Sequence, residues 1–476
     1  MIETVHTGRA PGVQVAEATD RASARLLPLF DGGNPDLLLP ARDNEVAAAY
    51  GLIGGVPAAA YATDPARRGG AMTQEGCARV AEVIERADLK GLPVVGVWQS
   101  GGASLGEGVG ALDGVGRVFR AIVGASGRIP QISVVLGSAA GGAAYGSALT
   151  DLVIMAEEAS MFVTGPRVVR DATGVEVGFT ELGGAAVHSR HSGVAHLIRR
   201  DEGDCLATAR DLVRLLGGQG GFGEPGDVLD GTDLRALLPE SPRQAYPVTK
   251  LVDALLDAPA VQLHPRWAPN VVTALGRLGG RTVGVVANNP LKLGGCLDAD
   301  AGDKASRFVR MCDAYGVPLV VLVDVPGYLP GVSQETSGVL RRGAKLLHAF
   351  AACQVPRVTL ITRKAFGGAF IAMNSRSLGA DAVYAWPGAE VDVMGVESTV
   401  RVAHRRRLEA VADPAARAAL EAELVEEYRR TEHGLAAAVR DRIVDAVIDP
   451  VDTRSTLIRA LSHRRSVPHR LPNIPL

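Results

Sequence analysis

At 476 residues the chain is long enough for two domains of roughly 200 residues, each with a full core. Apolar residues make up 47%, but no unbroken apolar run approaches the ~20 residues that cross a bilayer, so no membrane span is expected. A formal net charge of −2 leaves no electrostatic footprint for nucleic acid or anionic lipid.

The opening stretch, MIETVHTGRAPG, has no apolar core behind a basic head and does not read as a secretory signal. Cys77, Cys205, Cys296, Cys312 and Cys353 are scattered without a CxxC pair. That pattern argues against a zinc ribbon or a disulfide framework and suits a reducing cytoplasm.

In chain order, LIGG (52–55) is followed by DPARRGG (64–70), GLPVVGVWQSGG (91–102), IPQISVVLG (129–137) and GGA (141–143). The same series returns as RLGG (277–280), NPLKLGG (289–295), GVPLVVLVDVPGY (316–328), VPRVTLITR (355–363) and GGA (367–369), at a nearly constant offset. Later, Gly165 of MFVTGP answers to Gly395 of VDVMG. So many matches in one order imply a duplicated domain. LPVVGVW and ISVVL are short, rich in Val and Ile, and apolar on both faces, as buried strands covered by helices require. The spacing predicts helices over about 113–126 and about 336–353. Repeated strand–helix alternation gives an α/β class with layered sheets flanked by helices. The Gly- and Pro-rich residues 217–247 read as a linker between domains at 48–216 and 248–476, and a long charged helix is predicted over about 413–442.

A Gly-Gly-Ala run after a buried strand places backbone N–H groups at a helix start with no side chain in front of them. Such orphan donors, aided by the helix dipole, suit an oxygen that gains negative charge in a transition state. Gly-Gly can equally serve tight helix–strand packing. Two such runs, each preceded by a glycine turn (Gly101 and Gly102; Gly327), favour two oxyanion holes and therefore two reacting molecules. HSRHSGVAH (188–196) lacks a carboxylate or cysteine at matching spacing, so no metal site is expected there. Ser100 or Ser138 as a peptidase nucleophile would need a histidine in hydrogen-bond reach. A non-catalytic assembly role is a further alternative, against which the intact glycine pairs argue.

From about 48 to 462 the chain resembles the carboxyltransferase (β) subunits of biotin-dependent acyl-CoA carboxylases, the propionyl-CoA/acetyl-CoA group of the crotonase-like superfamily. The matching runs are PQISVVLGSAAGGAAY (130–145), GGAAVHSRHSGVAH (183–196), the long stretch 283–331, RKAFGGAFIAM (363–373) and AWPGAEVDVMG (385–395). Residues 1–47 match poorly, and the family's SGGARIQEG is SGGASLGEG (100–108) here. The resemblance implies two crotonase-like domains, a homohexamer built as a trimer of dimers, acyl-CoA bound by the N-terminal domain, and carboxybiotin delivered to the C-terminal domain. A separate biotin carboxylase and carrier would supply that biotin. Carried over by motif, the N–H groups of Gly141 and Gly142 face the thioester oxygen. Those of Gly368 and Ala369 face the biotin ureido oxygen, with Phe366, Gly367, Gly101, Gly102 and Gly327 lining the binding sites. The implied reaction carboxylates the acyl α-carbon through a thioester enolate. The reverse, decarboxylation or transcarboxylation, would use the same groups.

Overall fold

The computed structural model describes residues 20–41, 44–223, 232–241, 244–430 and 434–474. The chain divides after Gly218 into two compact units. In the first, β1 (Leu37–Leu39), β2 (Val46–Ile53), β3 (Val56–Thr63), β4 (Val94–Ser100), β5 (Gln131–Ala140), β6 (Leu152–Ala156) and β8 (Leu197–Arg199) are neighbours in that order, and β7 (Ser160–Phe162) continues beside β5. In the second, β9 (Val261–Leu263), β10 (Val271–Leu278), β11 (Arg281–Asn288), β12 (Leu319–Val325), β13 (Arg357–Phe366), β14 (Ala382–Ala385) and β16 (Ala446–Val447) repeat the order, with β15 (Glu390–Asp392) beside β13. Strand for strand, one sheet is the other.

The repeat extends to details that only a shared backbone requires. The β2–β3 hairpin turns on Gly54 and Gly55, and the β10–β11 hairpin on Gly279 and Gly280, all with positive φ as a two-residue hairpin turn demands. Strands β3 to β6, like β11 to β14, pair in parallel. Apart from the later residues of β5 and β13 and a few single positions, they are buried, which explains their unbroken Val and Ile runs. Helices Gln74–Lys90 and Ala299–Tyr315 are each capped by a side-chain oxygen, that of Thr73 on the Gly76 N–H and that of Asp298 on the Ala301 N–H. Each ends on a left-handed glycine, Gly91 or Gly316. Both helices carry a cation at the same place. Arg79 donates to the carbonyls of Pro40 (3.1 Å) and Val46 (3.0 Å). Lys304, 1% exposed, donates to those of His264, Trp267 and Ala268 at 2.9–3.1 Å.

Some boundaries differ from those read off the sequence. The helix expected over 113–126 runs Val109–Ala125, and that expected over 336–353 is a short helix, Val332–Thr336, followed by Val339–Ala352. Of the charged helix expected over 413–442, Pro414–Arg430 is helical and 431–433 lie outside the described residues; a separate short helix, Leu435–Arg440, starts after Gly434, whose φ is 73°. Helix Thr453–Ser462 comes after it. Of residues 217–247, 224–231 and 242–243 lie outside the described residues. Leu234 and Tyr246, 1% and 3% exposed, belong to the second core. Cys77, Cys205, Cys296, Cys312 and Cys353 are unpaired.

Candidate active site

Each glycine run succeeds the long parallel strand of its unit. β5 ends at Ala140, Gly141 turns with φ 53°, and helix Gly142–Ala148 begins. β13 ends at Phe366, Gly367 turns with φ 58°, and the helical residues continue to Ala372. Only glycine takes that left-handed turn without strain. The positions therefore align Gly141 with Gly367, Gly142 with Gly368 and Ala143 with Ala369.

This alignment corrects one donor. The Gly141 N–H is not available to a ligand, because it donates to the Phe162 carbonyl at 3.0 Å, extending the β5–β7 ladder. The N–H groups of Gly142 and Ala143 have no partner among the described residues, and neither do those of Gly368 and Ala369. Their freedom comes from being first-turn helix amides, which no carbonyl of the helix can reach. Gly368 is exposed, and a Cβ added there would meet nothing within 4 Å, so a flat ligand has room against this backbone. A Cβ on Gly142 would lie 2.7 Å from Val115 Cγ1, so that turn is held against the neighbouring helix.

The turns after β4 and β12 form the second wall. Gly102 is buried with φ 93°, and a Cβ there would sit 3.0 Å from the Ala140 carbonyl oxygen and 3.9 Å from the Gly142 nitrogen. Gly101 donates to the Gly69 carbonyl (3.2 Å) and Gly102 to Ser100 Oγ (3.2 Å). Both amides are thus engaged, and what these glycines supply is close backbone approach. One residue on, Ala103 bridges Met72 and Tyr328 bridges Leu297, through hydrogen bonds made by the flanking residues. Their own N–H groups are without a partner among the described residues. Ala103, Ala143 and Tyr328 are candidate donors that the sequence did not single out; the one usable signal was the offset itself, which pairs Ala143 with Ala369 and Ala103 with Tyr328. Gly327 has φ 151° and open space around it, and Phe366 is buried at 7% exposure beside Gly395.

The histidines and serines have other duties. His188 bonds the Met161 carbonyl (2.7 Å) and Ser192 Oγ (2.8 Å), and His196 Nδ1 accepts from the Val153 N–H (3.1 Å). Ser138 Oγ meets Ser160 Oγ at 3.1 Å, and neither Ser100 nor Ser138 has a histidine partner among the described residues. A buried carboxylate, Asp324, stands three residues before the Gly327 turn. Burial pushes the Asp324 carboxyl above the usual range, and Arg363, 2.9 Å away, pulls it back.

The two duplicated α/β units each present first-turn helix amides beside a glycine-lined strand end, and neither Ser100 nor Ser138 is paired with a histidine among the described residues. A carboxyl transferase domain model matches residues 38–473. The chain is 53% identical over 454 residues, 95% of its length and 96% of the relative's, to the biotin-dependent acetyl-/propionyl-coenzyme A carboxylase beta6 subunit of Mycobacterium tuberculosis. It is 50% identical over 475 residues, 98% and 99% of the two chains, to the propionyl-CoA carboxylase beta chain of Rhodococcus erythropolis. Among solved structures it resembles the transcarboxylase 12S hexamer with methylmalonyl-coenzyme A and methylmalonic acid bound. There the TM-score is 0.86 and the identity 38%, covering 96% of this chain and 93% of that one. The chain belongs to the carboxyltransferase subunits of biotin-dependent acyl-CoA carboxylases.

Proposed function

We propose that this subunit moves a carboxyl group from biotin to the α-carbon of an acyl-CoA, with the first unit holding the thioester and the second the biotin ureido group. The observation that carries this reading is the pair of unengaged first-turn amides in each unit, Gly142 with Ala143 and Gly368 with Ala369. In the first unit these amides hold the thioester oxygen as it becomes an enolate oxygen, with the Ala103 N–H available from the facing turn. In the second, Gly368 and Ala369 hold the ureido oxygen, with Tyr328 placed as Ala103 is. The open space at Gly368 leaves room for the planar ureido ring. Bound carboxybiotin supplies the carboxyl group and, after its release, the base for the α-proton. A single donor of this kind contributes roughly 2.7–4 kcal/mol to transition-state stabilisation, and fixing two reactants in one geometry adds more.

Carboxylation is the favoured direction, and the carboxyl source is a biotin carrier loaded by a separate biotin carboxylase. Five unpaired cysteines support a reducing cytoplasm as the working compartment. The test is incubation of the purified chain with free biotin and malonyl-, methylmalonyl- and longer carboxyacyl-CoA thioesters. Carboxyl transfer to biotin from at least one supports the reading and names the acyl group. Intact thioesters across the panel, from a folded protein that still binds coenzyme A, overturn it.

A further inference from the structure

Both units contain the same irregularity next to their donors. In the first, Trp98 pairs with Val135 and Ser100 with Ala139, so three residues of β5 face Gln99 alone. In the second, Val323 pairs with Ile361 and Val325 with Ala365, so three residues of β13 face Asp324 alone. Bulges of this kind bend a strand and re-aim the residues beyond it; here those residues lead into Gly141 or Gly367. Gln99 and Asp324 are equivalent, as are the central residues of the long sides, Gly137 and Arg363.

The two bulges are closed by different chemistry. In the first unit the Gln99 side chain lies over bare backbone: a Cβ on Gly137 would be 2.6–2.8 Å from its Cγ, Cδ and Nε2, and its Oε1 is buried without a partner. In the second unit Arg363 Nε donates to Asp324 Oδ2 at 2.9 Å, with side chains 14% and 3% exposed. The other Asp324 oxygen accepts the Lys364 N–H at 3.3 Å, and Arg363 also donates to the Gln244 carbonyl (2.9 Å) and lies 4.9 Å above the Tyr246 ring. A buried ion pair is weak evidence for stability, since desolvation offsets its attraction. The first unit shows that the bulge closes without one.

We propose that Asp324 and Arg363 are a positioning pair, fixing the end of β13 against the end of β12 so that the Gly368 and Ala369 donors keep their aim at the biotin oxygen. Asp324 stands three residues before the Gly327 turn and Arg363 four before Gly367, so the pair ties together the two turns that frame the second site. The first unit, whose thioester is held by a long coenzyme as well as by its reacting oxygen, manages with Gln99 and Gly137. The assignment to biotin rests on the function proposed above.

The test replaces the pair with the first unit's own solution, Asp324→Gln with Arg363→Gly, a combination that this backbone accommodates at the equivalent place. Steady-state carboxyl transfer to free biotin and calorimetric acyl-CoA binding are measured on the full chain. The expected result is a rise of about tenfold or more in the KM for biotin and a lower kcat, with acyl-CoA Kd within about twofold; misplacement of 1 Å costs up to about 10²-fold. Asp324→Glu, which keeps a carboxylate opposite Arg363, is expected to retain most of the activity toward biotin. Unchanged biotin kinetics in the folded double variant, or a loss from Asp324→Glu as large as that of the double variant, would overturn the positioning role. A loss confined to acyl-CoA binding would support positioning and refute the biotin assignment.

Discussion

Arg210 donates to Asp31 at 2.7 Å, and the same carboxylate accepts the N–H groups of Gly54 and Gly55, each at 2.8 Å. Arg210 reaches the Leu29 carbonyl as well. In the second unit Arg454 repeats the arrangement on Asp257 (2.9 Å), Gly279 (2.9 Å), Gly280 (2.8 Å) and the Leu255 carbonyl. A carboxylate thus clips each glycine hairpin to a late helix of its own unit.

The Asp31 carboxyl is held below its ordinary range, chiefly by the Gly55 N–H. Its contribution is therefore complete above the ordinary aspartate value of about 3.9 and is lost as pH falls through the lower folded value. Because the side chain is 37% exposed, the effect is modest. Asp31→Ala should lower stability by about 1 kcal/mol at neutral pH. In acid denaturation curves the difference from the unsubstituted chain should close at the lowest pH.

Lys304 gives the opposite pH dependence. Burial pulls its ammonium down to about 7, against the opposing charge of Asp298. Between about 7 and the ordinary lysine value of about 10.4, the unfolded chain holds a proton that the folded chain sheds, so stability from this group rises with pH across that window. Lys304→Met should remove that slope and cost roughly 2–4 kcal/mol by orphaning three carbonyls. Denaturant titrations at pH 7 and pH 9.5 read both effects.

Gly142 and Val115 should be coupled. A methyl on Gly142 would overlap Val115 Cγ1, tilt the helix start, and lower kcat/KM for acyl-CoA about tenfold. Val115→Ala alongside Gly142→Ala should recover most of it, in a double-mutant cycle. Absence of rescue would mean that the methyl acts on the substrate and not on the helix.

Much of the fold was legible because the offset between the halves is carried by glycines with fixed conformational duties. Gly54, Gly55, Gly279 and Gly280 mark hairpins, and the Val-rich runs mark parallel strands. The helix expected over 413–442 ran through Gly434 because that residue sits inside a run whose composition is otherwise helical. At the site, the motif located both turns, but it could not show that the Gly141 N–H continues a strand ladder to Phe162, a pairing with a residue 21 positions away. The amides of Ala103 and Tyr328 were invisible for a similar reason. A backbone donor has no residue type, and its freedom is known only once its neighbours' partners are known. The Asp324–Arg363 pair spans 39 residues and gave no local signal at all.

Gly368→Pro tests the backbone donors most directly, because it deletes one N–H where an added Cβ meets nothing within 4 Å and where a first-turn helix position tolerates proline. The rate of carboxyl transfer from methylmalonyl-CoA to free biotin should fall about 10²- to 10³-fold, with thermal stability and acyl-CoA binding retained. A folded Gly368→Pro protein that transfers carboxyl at the unsubstituted rate would contradict the assignment of that amide to the reacting oxygen.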